Sequence, residues 1–331
     1  MVVDALILTL GYTLRKSRQQ HPTIKSPFPL IPIEPPLTTS LTPDAEVISI
    51  PYGPFTLKPH SMLGDGFVLQ NIAKPCTECF VTAMHAYLRT PSSPSTKQKS
   101  YNLYTTTSGL WLHHIIFFNL GRPDPVCARM EGERFFGGGN ERWTRRWNSI
   151  SDHGYEINAN DKWDAVIELM NDADEEVTAE IVVRYEIISK ESKEGKGYKN
   201  VRAVWLDLTG CGNADVDVKS TTEAFEYRTP NYTSSVSGLI VDVAGHLHDG
   251  GLTMLGYKNG DLMCRSDVFY DNQAEDQHIE ASGVCKDAGR VGKGDVMWAE
   301  ALYDPNVHRL TMHEEGADPV MGSMGVYVGV D

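Results

Sequence analysis

Of the eleven histidines, four stand in close pairs, His113-His114 and His246-Leu247-His248. Residues two apart on a β-strand point to the same face, so His246 and His248 project together from the end of the apolar run Leu239 to Val243. Two imidazoles on one face make a metal-site geometry, and Gly245, Gly250 and Gly251 leave room for close approach. The plainer alternative is a pair of surface histidines at a strand end. His113 and His114 lie between Gly109-Leu-Trp-Leu and the apolar run Ile115 to Phe118. Adjacent strand residues face opposite ways, so one metal holds both only where the backbone kinks or the rings curl together. Otherwise one is a core and the other a surface histidine. Gly137-Gly-Gly-Asn has no Lys-Ser/Thr after it and reads as a turn, not a phosphate loop. Neither a G-x-S-x-G elbow nor a Cys-His nucleophile signature occurs. Glu133 and Arg134, with Phe135, Phe136, Trp143 and Trp147, read as a satisfied ion pair beside core aromatics, the alternative being a cleft lining.

The elements that must hold these residues are short β runs. From Val177 to Ile187 the odd positions are apolar, alternating with Thr178, Glu180, Arg184 and Glu186, which predicts a half-buried strand with one solvated face. Leu252 to Tyr257 and Asp261 to Val268 are joined through Lys258-Asn259-Gly260, a hairpin signal. Leu206 to Gly212 and Gly322 to Val330 look similar, and no stretch of 12 or more residues holds a 3.6 period. Many short antiparallel strands imply all-β sandwiches or jelly rolls. At roughly 150 residues per domain, 331 residues suggest two. The charged, Gly-containing stretch Lys190 to Lys199 is the natural seam. The expected organisation is an extended Pro-rich arm over 1–44, with seven prolines from His21 to Pro43, then units over 45–198 and 199–331.

Hydrophobic residues at 41% and charged residues at 22% give enough apolar side chain for a sizeable core. With 30 Lys+Arg against 44 Asp+Glu the net charge is −14, so a nucleic-acid or anionic-membrane binder would need to concentrate its cations. The best cluster, Arg142, Arg145 and Arg146, lies among Glu131, Glu133 and Glu141 and reads as local ion pairing, so no nucleic-acid partner is expected. No apolar run reaches the roughly 18 to 20 residues of a membrane span. Met1 to Leu10 is apolar, but Asp4 interrupts it and Arg15, Lys16 and Arg18 follow it, the wrong order for a secretory signal. The six cysteines (76, 79, 127, 211, 264, 285) point to a secretory compartment all the same: only Cys76 and Cys79 have C-x-x-C spacing, so a disulfide set fits better than zinc. Cys264 with Cys285, flanking one short stretch, is the expected pair. Asn231-Tyr232-Thr233 is a glycosylation sequon that matters only in the same compartment.

Five segments in order, Cys79-Phe-Val-Thr-Ala-Met-His-Ala-Tyr, Leu112-His-His-Ile-Ile-Phe-Phe-Asn, Glu168-Leu-Met-Asn, Gly245-His-Leu-His-Asp-Gly-Gly and Asp318-Pro-Val-Met-Gly-Ser-Met-Gly, carry a resemblance over residues 48–330. Their order and spacing resemble the copper type II, ascorbate-dependent monooxygenases, the catalytic core of peptidylglycine α-hydroxylating monooxygenase and dopamine β-monooxygenase, and most of all their fungal relatives. The resemblance implies two tandem antiparallel jelly-roll (β-sandwich) domains with a cleft between them, each holding one copper. It puts His113 and His114 at the electron-donating copper, and His246, His248 and the thioether of Met321 at the oxygen-binding, catalytic copper. Imidazole and thioether ligands suit a metal cycling between Cu(I) and Cu(II). The chain departs from the pattern at the first site, where a third histidine on a later strand is replaced by Ala165-Val-Ile-Glu-Leu-Met-Asn. Met170 stands near that position. Without a complete first site, a two-electron hydroxylation loses its second electron source.

Three functions follow as expectations. One is a copper-binding, monooxygenase-type oxidoreductase acting on a small organic or secondary-metabolite substrate. Another, motivated by the missing histidine, is a metal-independent pericyclase, a hetero-Diels–Alderase joining a quinone methide to a terpene in fungal tropolone sesquiterpenoid assembly. The last is a non-enzymatic secreted copper-binding protein.

Overall fold

Alternating apolar and polar residues, broken every few positions by Gly, Pro, Asn or Asp, fold here into strands and almost nothing else. In the computed structural model, described for residues 30–31, 37, 40–64, 66–91, 109–141, 144–212, 214–271, 278–313 and 316–331, the only helical turn among the described residues is the 3-10 segment Gly195–Gly197. The chain is therefore all-β, in several sheets that do not close into a barrel. Most of the Pro-rich arm, together with Arg142 and Trp143, lies outside the described residues.

The largest sheet runs in the order Leu30–Ile31, Val284–Cys285, Gly238–Leu247, Val320–Val330, Lys199–Asp207, His153–Ile157, Cys79–Arg89, Val177–Ser189, Glu46–Leu57. Its pairings are antiparallel except for the short contact of Lys199 and Asn200 with His153 and Gly154, which joins the strands from the early and late parts of the chain. A five-stranded sheet, with Ser61–Leu63, Trp163–Asn171, Leu110–Asn119 and Glu133–Gly139 in order, packs its inner face (Leu112, Ile115, Phe117, Trp163, Ile167) against Val81, Tyr155, Val183 and Tyr185 of the large sheet. A six-stranded sheet containing Val296–Tyr303, Gly251–Lys258 and Asp261–Tyr270 builds a second core from Met254 and Ala299 with Val204, Val243, Met324 and Val326. Lys199–Asp207 serves both cores: Ala203 and Trp205 face the first, Val204 and Leu206 the second. A strand buried on both faces reads as a continuous apolar run, which is why its two sides were indistinguishable in the sequence.

The hairpin at Asn259-Gly260 forms as expected, with both residues at positive φ (53° and 95°), the conformation a two-residue turn needs. The strand Val177–Ser189 also forms, but its second face is only partly solvated: Val182, Glu186 and Ile188 are fully buried, with Asn148 bonded to Glu186 and Tyr198 packed with Ile188. Arg145 and Arg146 likewise leave their sequence neighbourhood. Arg146 pairs with Glu186 at 2.7 Å and Arg145 with Asp242 at 3.2 Å, all four side chains buried. Desolvated guanidinium groups need partners on facing strands, and sequence neighbours cannot supply these. Leu206 to Gly212 is strand only as far as Asp207, beyond which it turns. Gly137-Gly-Gly is not a turn but the end of the strand Glu133–Gly139, opposite Ile116, Ile115 and His114. A Cβ on Gly137 would stand 2.3 Å from the Trp205 ring, and one on Gly139 2.9 Å from the His113 carbonyl, so small residues here let two layers meet.

All six cysteines are paired, Cys76–Cys79, Cys127–Cys211 and the expected Cys264–Cys285. Three disulfides are consistent with a secreted protein. No helix among the described residues is long and apolar enough to cross a membrane. The aromatics Phe135, Phe136 and Trp147 are core, as read; Glu133 and Arg134 are ion-paired, but to Arg202 and to Asp124 and Asp207 respectively, not to each other.

Candidate metal centre

His113 and His114 reach one side of their strand through a β-bulge. Across to the strand Trp163–Asn171, His114 pairs with Glu168 and Leu112 with Leu169, so His113 is the extra, unpaired residue. The inward-facing phase consequently changes from Leu110 and Leu112 to Ile115 and Phe117, leaving both histidines on the outer face of the five-stranded sheet. Their ring centroids lie 4.2 Å apart. This is the kink that a shared site requires. His246 is the penultimate residue of the strand Gly238–Leu247, and His248 follows the strand.

The two pairs meet. His114 Nε2 lies 3.1 Å from His246 Nε2 and 3.4 Å from His248 Nε2. The donor nitrogens of His113, His114 and His248 all lie within 4.8 Å of one another, a spread one metal ion can bridge. The pairs that the resemblance assigns to two coppers, one each, thus lie in one cluster with His114 at its centre. Met170 lines the open side of this cluster beside His113, whereas Met321 lines the opposite side beside His246.

Each of three imidazoles is oriented through Nδ1. Glu168 Oε2 accepts from His114 Nδ1–H at 2.6 Å, the Pro319 carbonyl accepts from His248 Nδ1–H at 3.1 Å, and the buried Glu141 carboxylate accepts from His246 Nδ1–H. Carboxylate and carbonyl oxygens can only accept, so each partner sets the tautomer that turns Nε2 into the cluster. Tetrahedral or near-tetrahedral ligation at about 2.0 Å places ligand nitrogens about 3.3 Å apart. The observed 3.1 and 3.4 Å fit that spacing. Neither glutamate was singled out as a ligand-orienting residue from the sequence. Glu168 did sit in the stretch where a third histidine was sought, and a carboxylate beside a histidine strand was the available signal.

The electrostatics agree with a cation site. Burial and the neighbouring His114 and His248 push His113 down to about 2. Burial, His246 and His248 hold His114 well below the usual imidazole range, and burial with His246 lowers His248 despite the Pro319 carbonyl. These rings are neutral with lone pairs available. His246 is the exception: burial lowers it, but the Glu141 charge and hydrogen bond outweigh that and raise it. A proton on His246 would satisfy its contact with His114, and a bound metal cation would take that proton's place.

Two cavities join at the cluster, with His114, Glu168, Asp215 and His246 lining both. One is a wide cleft of about 790 Å³. The other, about 240 Å³, is lined by Ile116, Phe118, Val166 and Trp205, with Arg134, Asp207 and Ser323 among its polar residues. Glu168→Gln is expected to weaken metal binding by about 10- to 100-fold while preserving the fold, since an amide can present its N–H to the wrong side of His114. Competition with a chelator of known affinity reads this directly; unchanged affinity would show that Glu168 does not orient a ligand.

No protein-family model matches the chain. It is 28% identical over 287 residues to a probable copper-dependent oxygenase of Phoma sp., covering 84% of this chain and 71% of that one. It is also 28% identical over 228 residues to a probable copper-dependent oxygenase of Cochliobolus lunatus, covering 67% and 72%. Among solved structures, one of PNGF-II aligns over 86% of this chain and 65% of that chain with 8% identity and a TM-score of 0.42. The chain is thus similar to proteins named as copper-dependent oxygenases, and its four paired histidines form one cluster of the kind a metal requires.

Proposed function

We propose that this protein is a copper-dependent oxidoreductase of the oxygenase type, acting on a small organic substrate at one histidine-rich centre. The observation that supports it most is the convergence of the Nε2 atoms of His246 and His248 on that of His114, each ring held by an acceptor at Nδ1. His113, His114 and His248 are the shared ligand set, His246 adds a donor from the side of the smaller pocket, and the thioethers of Met321 and Met170, which line the smaller pocket and the wide cleft respectively, are the soft ligands available. Copper bound there supplies one-electron redox chemistry and a binding position for dioxygen. The chain's own residues do the rest. Glu168 and Glu141 hold the rings, the Pro319 carbonyl fixes His248, and Ile116, Phe118, Val166 and Trp205 keep water from a substrate lodged beside His246.

In this reading residues 45–198 and 199–331 are two units of jelly-roll type, and each contributes one histidine pair to the site between them. The three disulfides and the Asn231 sequon support a secretory location in this reading. Copper loading followed by dialysis is expected to leave near-stoichiometric metal, with reductant-dependent oxygen uptake in the presence of substrate. A protein that stays metal-free sinks the reading, and loaded copper without oxygen uptake leaves a copper-binding protein instead. A second reading, the metal-independent pericyclase, is favoured by one observation: Glu168 occupies the stretch that matches the third histidine of the resembled family and bonds His114, while a mostly apolar pocket lies alongside. Activity that survives chelation and substitution of the histidine pairs selects it.

A further inference from the structure

His278 and Asp249 form a second arrangement in the wide cleft, apart from the metal cluster. Asp249 Oδ2 accepts from His278 Nδ1–H at 2.6 Å, and Asp249 Oδ1 accepts the Ile279 backbone N–H at 3.0 Å. The Thr311 hydroxyl adds a longer contact of 3.4 Å to Oδ2. The ring centroids of Trp111 and His278 lie 3.6 Å apart, with the planes at 80°, so the imidazole is held on two sides. Its side chain is nevertheless 20% exposed, and it lines the same cleft as Trp111, His113, His248 and Thr311. Among the described residues no hydrogen bond is made to Nε2. A carboxylate that fixes Nδ1–H leaves Nε2 as the basic lone pair and stabilises the imidazolium that forms when it takes a proton.

We propose that His278 is a general base of this cleft, positioned by Asp249, and that its substrate class is small molecules carrying an acidic phenolic or enolic hydroxyl. In the step, the substrate O–H bond breaks, its electron pair stays on oxygen, and the proton forms the Nε2–H bond of His278. The imidazolium later returns that proton to the product or to water in the cleft. No electrons are transferred, so the step needs no oxidant and does not rest on the copper reading. An imidazole near neutrality is matched to a phenol, with an ordinary value of about 10, far better than to an aliphatic alcohol. Trp111, beside His278, gives an aromatic or enolic ring a face to pack on.

The probe is 4-nitrophenol, whose phenol and phenolate forms absorb differently, with the full chain examined before and after chelation. At a pH where the free probe is one-tenth ionised, at least half of the bound probe is expected as phenolate, and this persists after chelation. His278→Ala, and His278→Gln as a second variant preserving volume, are expected to return the bound fraction to about one-tenth or to lose binding at least tenfold, with copper uptake unchanged. Asp249→Asn should reduce the ionised fraction while the probe still binds. The proposal is overturned if wild type does not bind the probe, if the bound probe is ionised no more than the free one, if ionisation requires copper, or if both His278 variants match wild type. Because wild type alone can refute it, a variant that fails to fold does not protect it.

Discussion

The His114→Ala variant is expected to lose copper binding by more than about 100-fold, the largest effect of any single substitution in the cluster. Removing a residue that merely orients a ligand already costs about 10- to 100-fold, and His114 is the ring through which the two pairs touch. Its loss leaves His246 more than a ring's width from His248 and leaves the Glu168 carboxylate with no imidazole to hold. His246→Ala with His248→Ala should remove most of the metal as well, whereas His60→Ala, an exposed residue paired with an exposed Asp174, should not. Elemental analysis after loading and dialysis gives the stoichiometry, and electron paramagnetic resonance gives the number of coupled nitrogens. A His114→Ala protein with wild-type copper content and an unchanged spectrum would move the metal elsewhere.

Arg134→Met should destabilise the fold by about 3 to 5 kcal/mol at neutral pH, the range for breaking a buried ion pair while leaving its partners unpaired. Arg134 is almost wholly buried between Asp124 and Asp207, whose side chains are 0% and 2% exposed, and its guanidinium lies over the Trp205 ring. Asp207 also accepts from Ser323, so the network lines the small pocket as well as holding the strand Glu133–Gly139 to Lys199–Asp207. The penalty has a pH sign. Burial raises Asp124, but the Arg134 hydrogen bond and charge overcome this and hold it below the usual carboxylate value. A depressed folded value contributes stability that is present above the unfolded value of about 3.9 and is lost as pH falls through the folded one. The difference between wild type and Arg134→Met should therefore shrink in acid. Chemical denaturation at neutral pH and at acidic pH checks both parts, and a neutral-pH loss under about 1 kcal/mol would show the network to be dispensable.

Local pattern made several features legible. Asn259-Gly260 specified its hairpin because few dipeptides accept two successive positive φ angles. Cys264 and Cys285, separated by 21 residues, could be paired by proximity along the chain, while Cys127 and Cys211, 84 apart, could not. The His-x-His spacing marked His246 and His248 as a pair, although only His246 lies on the strand and His248 follows it. The bulge at His113 was written in the shift from Leu110 and Leu112 to Ile115 and Phe117. Trp111, Ile116 and Phe118 hid it, because the outer face is apolar too where it walls the cavities.

What the sequence determined by itself was therefore local: an all-β chain, its hairpin, a near disulfide and two histidine pairs. Tertiary structure alone decided that the pairs form one cluster, that Glu168 and Glu141 aim the rings, and that Arg145 and Arg146 leave nearby glutamates for Asp242 and Glu186. The physical reason is range. Strand period and turn chemistry act over a few residues, but His114 and His246 are 132 residues apart, and only the register and stacking of sheets bring such side chains into contact.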